Sequence, residues 1–344
     1  ANHGMSAHFA VGNGDFLDLV YSGNMIEDGN VTDIDATEDL TFKSSASADG
    51  RRTKGDYIFS PTFLLEDPDD HAIHYIGSGI EGIYVVKDGR QIGKFDENSL
   101  INKNVNWAWR PSTAQFDKHG NLLVGVYTED KTWPPLIVLP ADKRRKDPST
   151  ITKEDWIGLD MGGTISQRDI VMHQCGRIPA IFMSDAQAKQ GFSALHYGNS
   201  ITDPSDDTAL VVSTLTDQDG KIFSTDYILC FTEDQRGRVW AGTTNGIFEI
   251  TNPANVFSSD FRINRLKVPR NDGTNLADYL LETEKIYAIA VDAANRKWIA
   301  TEGSGIYLVS ENGDEILENF NTTNSPLPTN CITDIYVDAN SNSL

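Results

Sequence analysis

Short apolar segments separated by polar turns alternate along most of the chain, and no long stretch has the 3.6-residue spacing of an amphipathic helix. The segments at 228–250 and 286–310 align with each other. In both, an apolar run ends in Asp, a Trp follows six residues later, a Thr comes three residues after the Trp, and a Gly-Ile pair opens the next apolar run. The two Asp–Trp pairs are Asp234 with Trp240 and Asp292 with Trp298. This pattern predicts short β-strands joined by tight turns.

Further copies of this repeat can be read elsewhere in the chain. Asp69 precedes Tyr75 by six residues, Asp117 begins another copy, a weaker copy surrounds His173, and a last one begins at Asp338. A period of roughly 40–60 residues built from short strands is typical of β-propeller blades. The repeat therefore predicts an all-β fold, a β-propeller of four-stranded antiparallel blades, six or seven in number.

We expect a single β-propeller domain over residues 1–344. Residues 1–51 lack the full repeat, but they contain two strand-like segments, SAHFAV and DFLDLV. Because a propeller must satisfy the edge of its first sheet, we expect these segments to pair with residues 331–338 and close the ring. The last copy stops at Leu344, where its aromatic position falls. We therefore expect the chain to be cut within a blade and to be part of a larger multidomain protein.

Charge and cysteine content narrow the expected partners. The chain has 29 Lys and Arg against 50 Asp and Glu, so its net charge of −21 disfavours nucleic acid and anionic membranes. Three widely spaced cysteines predict neither a zinc site nor a disulfide framework. No apolar stretch approaches the roughly 18 residues that span a bilayer. The N-terminal residues have no signal-peptide pattern, so for an exported protein we expect that segment to be missing here.

Several motifs suggest chemistry that the rest of the chain does not support. WIGLDMGGTISQRD (156–169) resembles a phosphate loop, but the second loop and the helices that such ATPases need are missing. YGNSITDP (197–204) suggests a nucleophilic Ser200, but no histidine follows an Asp by three residues to supply the base. Clustered carboxylates in TDQDGK (216–221) and the pair His71 and His74 lack further metal ligands. We therefore expect no catalytic residue, no metal ligand and no cofactor.

Four tryptophans outside the repeat's aromatic position are the candidate binding residues: Trp107, Trp109, Trp133 and Trp156. Trp107 and Trp109 are two residues apart, so on a strand they share a face. Aromatic side chains are enriched in binding surfaces because they bury a large area with few rotors. We predict that some of the four form an exposed platform for sugar rings or a protein partner. The alternative is that they pack between blades or under loops.

Two sets of residues resemble known families. The string D-x-x-G-x-V-W-A-G-T-x-x-G-I (234–247) resembles the two-component regulator propeller repeat of Bacteroidetes hybrid histidine kinases. Longer strings within roughly 50–344, such as GDYIFSPTF (55–63), VPRNDGTNLADYLL (268–281) and NTTNSPLPTN (321–330), resemble the PorZ-like propellers of the type IX secretion system. The first resemblance implies a periplasmic sensor for glycan fragments. The second implies contact with surface lipopolysaccharide or secretion proteins.

Repeat and resemblance together predict a non-catalytic recognition module of an exported Bacteroidetes envelope protein, located in the periplasm or at the cell surface. Its expected partner is a glycan, a lipopolysaccharide or an envelope protein. The alternatives are a polysaccharide lyase or glycosidase on a propeller scaffold, and a structural spacer between other domains. A cluster of His, Tyr or carboxylate side chains at one mouth of the channel would favour an enzyme.

Overall fold

A computed structural model describes residues 5–11, 15–21, 61–78, 82–88, 90–96, 98–101, 111–126, 134–162, 170–185, 191–270, 273–274 and 276–337. Within these ranges regular structure is nearly all β-strand. The α-helix α1 (Ala141–Arg144) is the exception, together with short 3-10 turns. No helix in this part of the chain is long and apolar enough to cross a membrane. The chain divides into two compact units, residues 1–127 with 136–159, and residues 128–135 with 160–344.

The first unit contains a hairpin and two four-stranded antiparallel sheets, in which spatial order follows chain order. The hairpin joins β1 (Met5–Val11) to β2 (Asp15–Tyr21). The first sheet is β3 (Pro61–Glu66), β4 (Ile73–Ser78), β5 (Gly82–Lys87) and β6 (Arg90–Phe95). The second is β7 (Pro111–Phe116), β8 (Leu122–Val126), β9 (Leu136–Leu139) and β10 (Ile157–Leu159).

In the second unit spatial order again follows chain order, in sheets of four, two, three, two and four strands. Its first sheet is β11 (Ile170–Gln174), β12 (Ala180–Asp185), β13 (Phe192–His196) and β14 (Thr208–Val212), and a pair follows, β15 (Leu215–Thr216) and β16 (Ile222–Phe223). The three-stranded sheet is β17 (Ile228–Glu233), β18 (Val239–Thr243) and β19 (Gly246–Ile250), and a second pair follows, β20 (Lys267–Pro269) and β21 (Ala277–Tyr279). The last sheet is β22 (Ile286–Val291), β23 (Lys297–Thr301), β24 (Ile306–Val309) and β25 (Ile316–Phe320). The predicted all-β class and four-stranded antiparallel sheets are confirmed.

The central strands are buried on both faces, as β8, β18 and β19 show along their whole length. Their sequences LLVGV, VWAGT and GIFEI are therefore nearly continuous apolar runs and do not alternate with polar residues. Each unit has its own hydrophobic core between neighbouring sheets. A sheet in this fold depends on its neighbours to cover both faces.

The two strands predicted near the N-terminus exist, and they form a hairpin with each other. β1 and β2 pair with each other, and residues 331–337 have no strand structure. Residues 338–344, including Asp338 and Leu344, lie outside the described residues, so ring closure and the single domain stay predictions.

The repeat's Asp organises the turn between the first two strands of a sheet. Asp234 donates its N–H to the carbonyl of Arg238 at 2.9 Å. Its Oδ1 accepts the N–H groups of Arg236 and Arg238 at 2.9 and 3.1 Å. The turn needs a positive φ at its fourth residue, which Gly237 adopts at 79° and Asn295 adopts at 59° in the equivalent turn of Asp292.

The second carboxylate oxygen explains the six-residue spacing to the aromatic residue. The indole Nε1 of Trp240 donates to Oδ2 of Asp234 at 3.3 Å, and that of Trp298 donates to Oδ2 of Asp292 at 3.2 Å. The Trp therefore contributes a hydrogen bond as well as its apolar body. In the Asp117 turn, where a leucine occupies the aromatic position, the side chain of Asn121 donates to Oδ2 at 2.7 Å.

We call the repeat's Asp in each sheet its landmark Asp, and for the first sheet the residue predicted from the sequence is wrong. Asp67, not Asp69, occupies the Asp position of the first sheet, because the buried Asp67 accepts the hydroxyl of Tyr75 at 3.1 Å. The turn there is two residues longer, with the Asp67 N–H bonded to the carbonyl of Ile73. Asp69 lies in the turn and pairs with Arg145.

A buried cation from the next sheet binds each of two landmark carboxylates. In the first unit, the guanidinium of Arg144 has 1% of its side chain exposed and contacts both Asp67 and Asp69. In the second unit, the fully buried ammonium of Lys297 donates to Oδ2 of Asp234 at 3.0 Å. It also donates to the carbonyls of Asn295 and Glu311 at 2.8 and 2.7 Å, so all three of its protons have acceptors.

These contacts set the ionisation of Asp234. Burial alone raises the pKa of its carboxyl, but hydrogen bonds from Lys297 and Arg238 outweigh burial and lower the pKa to about 2. Burial also lowers the pKa of the Lys297 ammonium, and Asp234 offsets part of that effect. Asp234 is therefore an anion at neutral pH, and the ammonium of Lys297 is surrounded by acceptors only: this carboxylate and two carbonyls.

Replacing Lys297 by Met should destabilise the protein strongly. The variant keeps the apolar stem but removes one of the two cations that bind the buried Asp234 and leaves only Arg238, which costs roughly 2 kcal/mol. Urea unfolding followed by tryptophan fluorescence measures the loss. The matched control is Lys267→Met, since Lys267 pairs with Asp219 at the surface with 42% and 40% of the side chains exposed. Equal shifts of the midpoint in the two variants would contradict a special role for Lys297.

The Asp234 carboxyl should also make stability depend on pH in the acid range. Its pKa of about 2 lies below the ordinary 3.8, so its contribution is complete above about pH 4 and is lost as pH falls towards 2. The difference in unfolding free energy between wild type and Asp234→Asn should shrink by about 1 kcal/mol from about pH 5 to about pH 3. Urea titrations at several pH values measure it. For the exposed control Asp226→Asn, we expect a smaller change; an equal one would refute the assignment.

Candidate functional site

A polar pocket of about 290 Å³ lies at one edge of the second unit. It adjoins the end of β19, where Ile250 pairs with Val239, so it is at the same edge of this sheet as the Asp234 turn. Hydrogen-bonding side chains and one aromatic ring dominate its lining, which includes Gln218, Asn252, Asn255, Phe261, Arg262 and Asn264.

Backbone and side-chain hydrogen bonds hold the walls of this pocket. The amide of Gln218 bonds both the carbonyl and the N–H of Arg265, at 3.0 and 2.8 Å. Asn264 exchanges two backbone hydrogen bonds with Glu249, each of 2.8 Å. Asn252 caps a 3-10 turn by accepting the N–H of Ala254 at 3.1 Å. The pocket is therefore largely pre-formed, as small-molecule sites usually are.

The chemistry of the lining suits a neutral, hydroxyl-rich ligand. Carboxamides offer both donors and acceptors, and the exposed Arg262 offers donors to a carboxylate or a ring oxygen. The half-buried Phe261 ring packs against Phe192 and forms an apolar part of the wall. A sugar combines hydroxyl groups with apolar C–H faces, and this lining can contact both.

A second polar cluster of the second unit brings together His173, Cys175 and Glu233. Their ligand-type atoms all lie within 4.8 Å of one another. His173 and Glu233 have 14% and 15% of their side chains exposed, and Nε2 of His173 lies 3.4 Å from Oε2 of Glu233. Cys175 is 4% exposed.

The ionisation states of this cluster follow from its contacts. Burial and the Glu233 carboxylate raise the pKa of the Cys175 thiol, so the sulfur carries its proton at neutral pH. Burial acts to raise the pKa of Glu233, but His173 and the Gly176 N–H, which donates at 2.6 Å, produce a net lowering. Glu233 is therefore an anion beside a neutral thiol.

The structure separates the four candidate tryptophans. Trp156 is 4% exposed and lies in the core of the first unit, with its ring edge-to-face against Phe95 at 5.6 Å. It therefore contributes no exposed ring, and the packing alternative holds for it. Trp107, Trp109 and Trp133 lie outside the described residues, and for them the exposed platform stays a prediction.

The motifs set aside in the sequence have structural roles. In the segment that resembles a phosphate loop, residues 157–159 form β10, which pairs antiparallel with β9. Ser200 lies in a turn, where its hydroxyl contacts that of Thr202 at 2.9 Å. TDQDGK forms another repeat-type turn, in which Oδ1 of Asp217 accepts the N–H groups of Asp219 and Lys221 at 3.0 and 2.8 Å.

Sequence reasoning missed both polar features of the second unit. The pocket is built from residues up to 46 positions apart that share no motif, as the lining by Gln218 and Asn264 shows. The cluster had a readable signal. In the weak copy around His173, Cys175 follows β11 directly, as Asp234 follows β17, and its N–H bonds the carbonyl of Ala180 across the turn.

Comparison with known proteins supports the predicted resemblance. A family model described as two component regulator propeller matches residues 222–245. The structure of PorZ, a surface component of the type IX secretion system of Porphyromonas gingivalis, is similar with a TM-score of 0.64 and 24% identity over 82% of this chain. This chain covers 37% of that PorZ chain. No curated protein sequence gives a significant match.

A second solved structure that matches is the extracellular domain of the putative hybrid two-component system BT4673 of B. thetaiotaomicron. It is 17% identical, the match covers 80% of this chain and 38% of the BT4673 chain, and the TM-score is 0.34. The regulator repeat and the PorZ likeness confirm the predicted β-propeller fold and the predicted resemblance. The number of blades stays a prediction.

Proposed function

We propose that this chain is a non-catalytic ligand-recognition module of an exported envelope protein, located in the periplasm or at the cell surface, and that its ligand is a glycan. The observation that carries the proposal is the amide-rich pocket between Gln218 and Asn264. Its pre-formed walls and mixed donors and acceptors suit a ligand rich in hydroxyl groups. The likeness to PorZ, a bacterial surface component, supports the location.

The carboxylates of the pocket favour binding over glycoside hydrolysis. Hydrolysis needs two carboxyl groups about 5–10 Å apart, one of them with a raised pKa. Among the residues that line the pocket, Asp260 is the one carboxylate, and its hydrogen bond from Ser258 lowers its pKa. One exposed carboxylate of lowered pKa does not make an acid–base pair.

Two other assignments remain as alternatives with distinct signatures. A sensor domain of a two-component system is favoured by the regulator repeat at 222–245, and it would use the same pocket for a glycan fragment. A protein partner would instead use the tryptophans Trp107, Trp109 and Trp133. The net charge of −21 disfavours nucleic acid in every case.

A glycan array that includes bacterial lipopolysaccharides tests the proposal on the purified chain. We expect saturable binding to at least one glycan. Arg262→Ala and Asn255→Ala should each weaken it by about tenfold or more, because each removes a hydrogen-bonding group worth about 1.5 kcal/mol. The matched control is Arg270→Ala, an exposed arginine that pairs with Asp278 and does not line the pocket.

The same array carries Trp107→Ala and Trp133→Ala. Binding that persists in both pocket variants but disappears in either tryptophan variant would move the site to the tryptophans. Binding to no glycan would contradict the glycan assignment and favour a protein partner. Circular dichroism of every variant checks that the fold is retained.

A further inference from the structure

Cys175 occupies the repeat's Asp position but cannot perform the role of Asp. In the turns of Asp234 and Asp292, Oδ1 accepts the N–H two residues later, at 2.9 and 3.0 Å. A thiol is a weak acceptor. In the turn after β11, Glu233 of the neighbouring sheet accepts the N–H of Gly176. The backbone N–H of Cys175 still bonds Ala180 across the turn, but its thiol has no part in the turn's hydrogen bonding.

The charge that the neighbouring sheet contributes is also opposite in sign at this position. Asp67 and Asp234 each bind a buried cation from the next sheet, Arg144 and Lys297. The next sheet brings the carboxylate of Glu233 to Cys175. Arg177 of the same turn is exposed, and it donates to the carbonyl of Gln235. The position that a cationic side chain fills elsewhere is here surrounded by a thiol, an imidazole and a carboxylate.

We propose that His173, Cys175 and Glu233 bind a divalent metal ion of the zinc type between these two sheets. Thiolate, imidazole and carboxylate are the three ligand types that Zn²⁺ takes in proteins. On binding, the sulfur–metal bond forms and the thiol proton leaves to solvent. The thiolate and the carboxylate then balance the two charges of the ion.

The geometry is close to that of a three-ligand site. Tetrahedral zinc needs donor atoms roughly 3.5 Å apart, and the atoms here lie within 4.8 Å of one another. Movements of roughly 1 Å, available to side-chain rotation, would complete the site. Among the described residues this is the one group of three such ligands at this spacing, and Nε2 of His173 is buried and makes no hydrogen bond of normal geometry, although it lies 3.4 Å from Oε2 of Glu233.

The metal would join the two sheets where Arg144 and Lys297 join others. It would link the turn after β11 to the end of β17. The inference is independent of the proposed glycan function, because the cluster shares no residue with the lining of the polar pocket.

Titration of the reduced, metal-free protein with Zn²⁺ and with Co²⁺ tests the site. We expect one equivalent of Zn²⁺ to bind and to raise the thermal unfolding midpoint. Co²⁺ should show a thiolate-to-metal charge-transfer band and the intense visible absorption of tetrahedral coordination. Ca²⁺ and Mg²⁺, which prefer oxygen ligands, should produce neither binding nor stabilisation.

Cys175→Ser and Glu233→Gln keep the side-chain volumes and remove one ligand each. Both should weaken Zn²⁺ binding by more than about 100-fold, beyond the effect of losing an outer-sphere contact. The Co²⁺ charge-transfer band should vanish in Cys175→Ser. The control Cys331→Ser removes an exposed cysteine outside the cluster and should bind as wild type.

Either of two results would overturn the proposal: no Zn²⁺ binding by the reduced wild type, or binding that survives both ligand substitutions. Loss of the Co²⁺ band in Cys331→Ser with retention in Cys175→Ser would overturn it too. Should Cys175→Ser fail to fold, Glu233→Gln with the two metals still decides, since the Gln oxygen can accept the Gly176 N–H of the turn as Glu233 does.

Discussion

At two positions, a buried carboxylate binds a buried cation from outside its own sheet, and this interaction fixes how the sheets pack. One carboxylate oxygen of Asp234 accepts hydrogen bonds from its own turn, and the other accepts them from Trp240, Arg238 and Lys297. Because an unpaired buried charge is costly, the two sheets must approach until the cation meets the carboxylate. Hydrophobic burial between sheets has no direction, whereas this contact specifies one relative position.

In the first unit, Asp67 and Arg144 form the equivalent ion pair, but the cation comes from a different type of element. Arg144 comes from the helix α1, whereas Lys297 comes from a strand, and yet both reach the landmark carboxylate with almost no solvent exposure. Arg144 also donates to the carbonyl of Gly120 at 2.8 Å, inside the turn of its own sheet. The requirement is therefore for a charge at a position in space, and the chain meets it from whichever element is near.

The sequence predicted the fold class because the information for it is local. Asp234 and Trp240 are six residues apart and hydrogen-bond to each other, so their spacing is visible in the chain. The partner of Asp234, Lys297, is 63 residues away, and nothing in its neighbourhood distinguishes it from a surface lysine. Asp67 was missed because its turn is two residues longer, and Trp156 looked free only because it stands outside the repeat. Long-range contacts decided the cases of Lys297 and Trp156, and the length of one turn decided that of Asp67.

The charge contacts between sheets also govern how a protein of this kind can gain or lose a blade. Duplicating the sheet of Asp67 or of Asp234 places a new buried anion beside the sheet that follows, so the copy packs in the same way only where that sheet carries a matching cation. A recombination boundary between such an Asp and the Lys or Arg that donates to it separates the two halves of one interaction. Sheets joined in this way are therefore compatible in ordered pairs. Between Cys175 and Glu233, a cluster of thiol, imidazole and carboxylate takes the place of that ion pair.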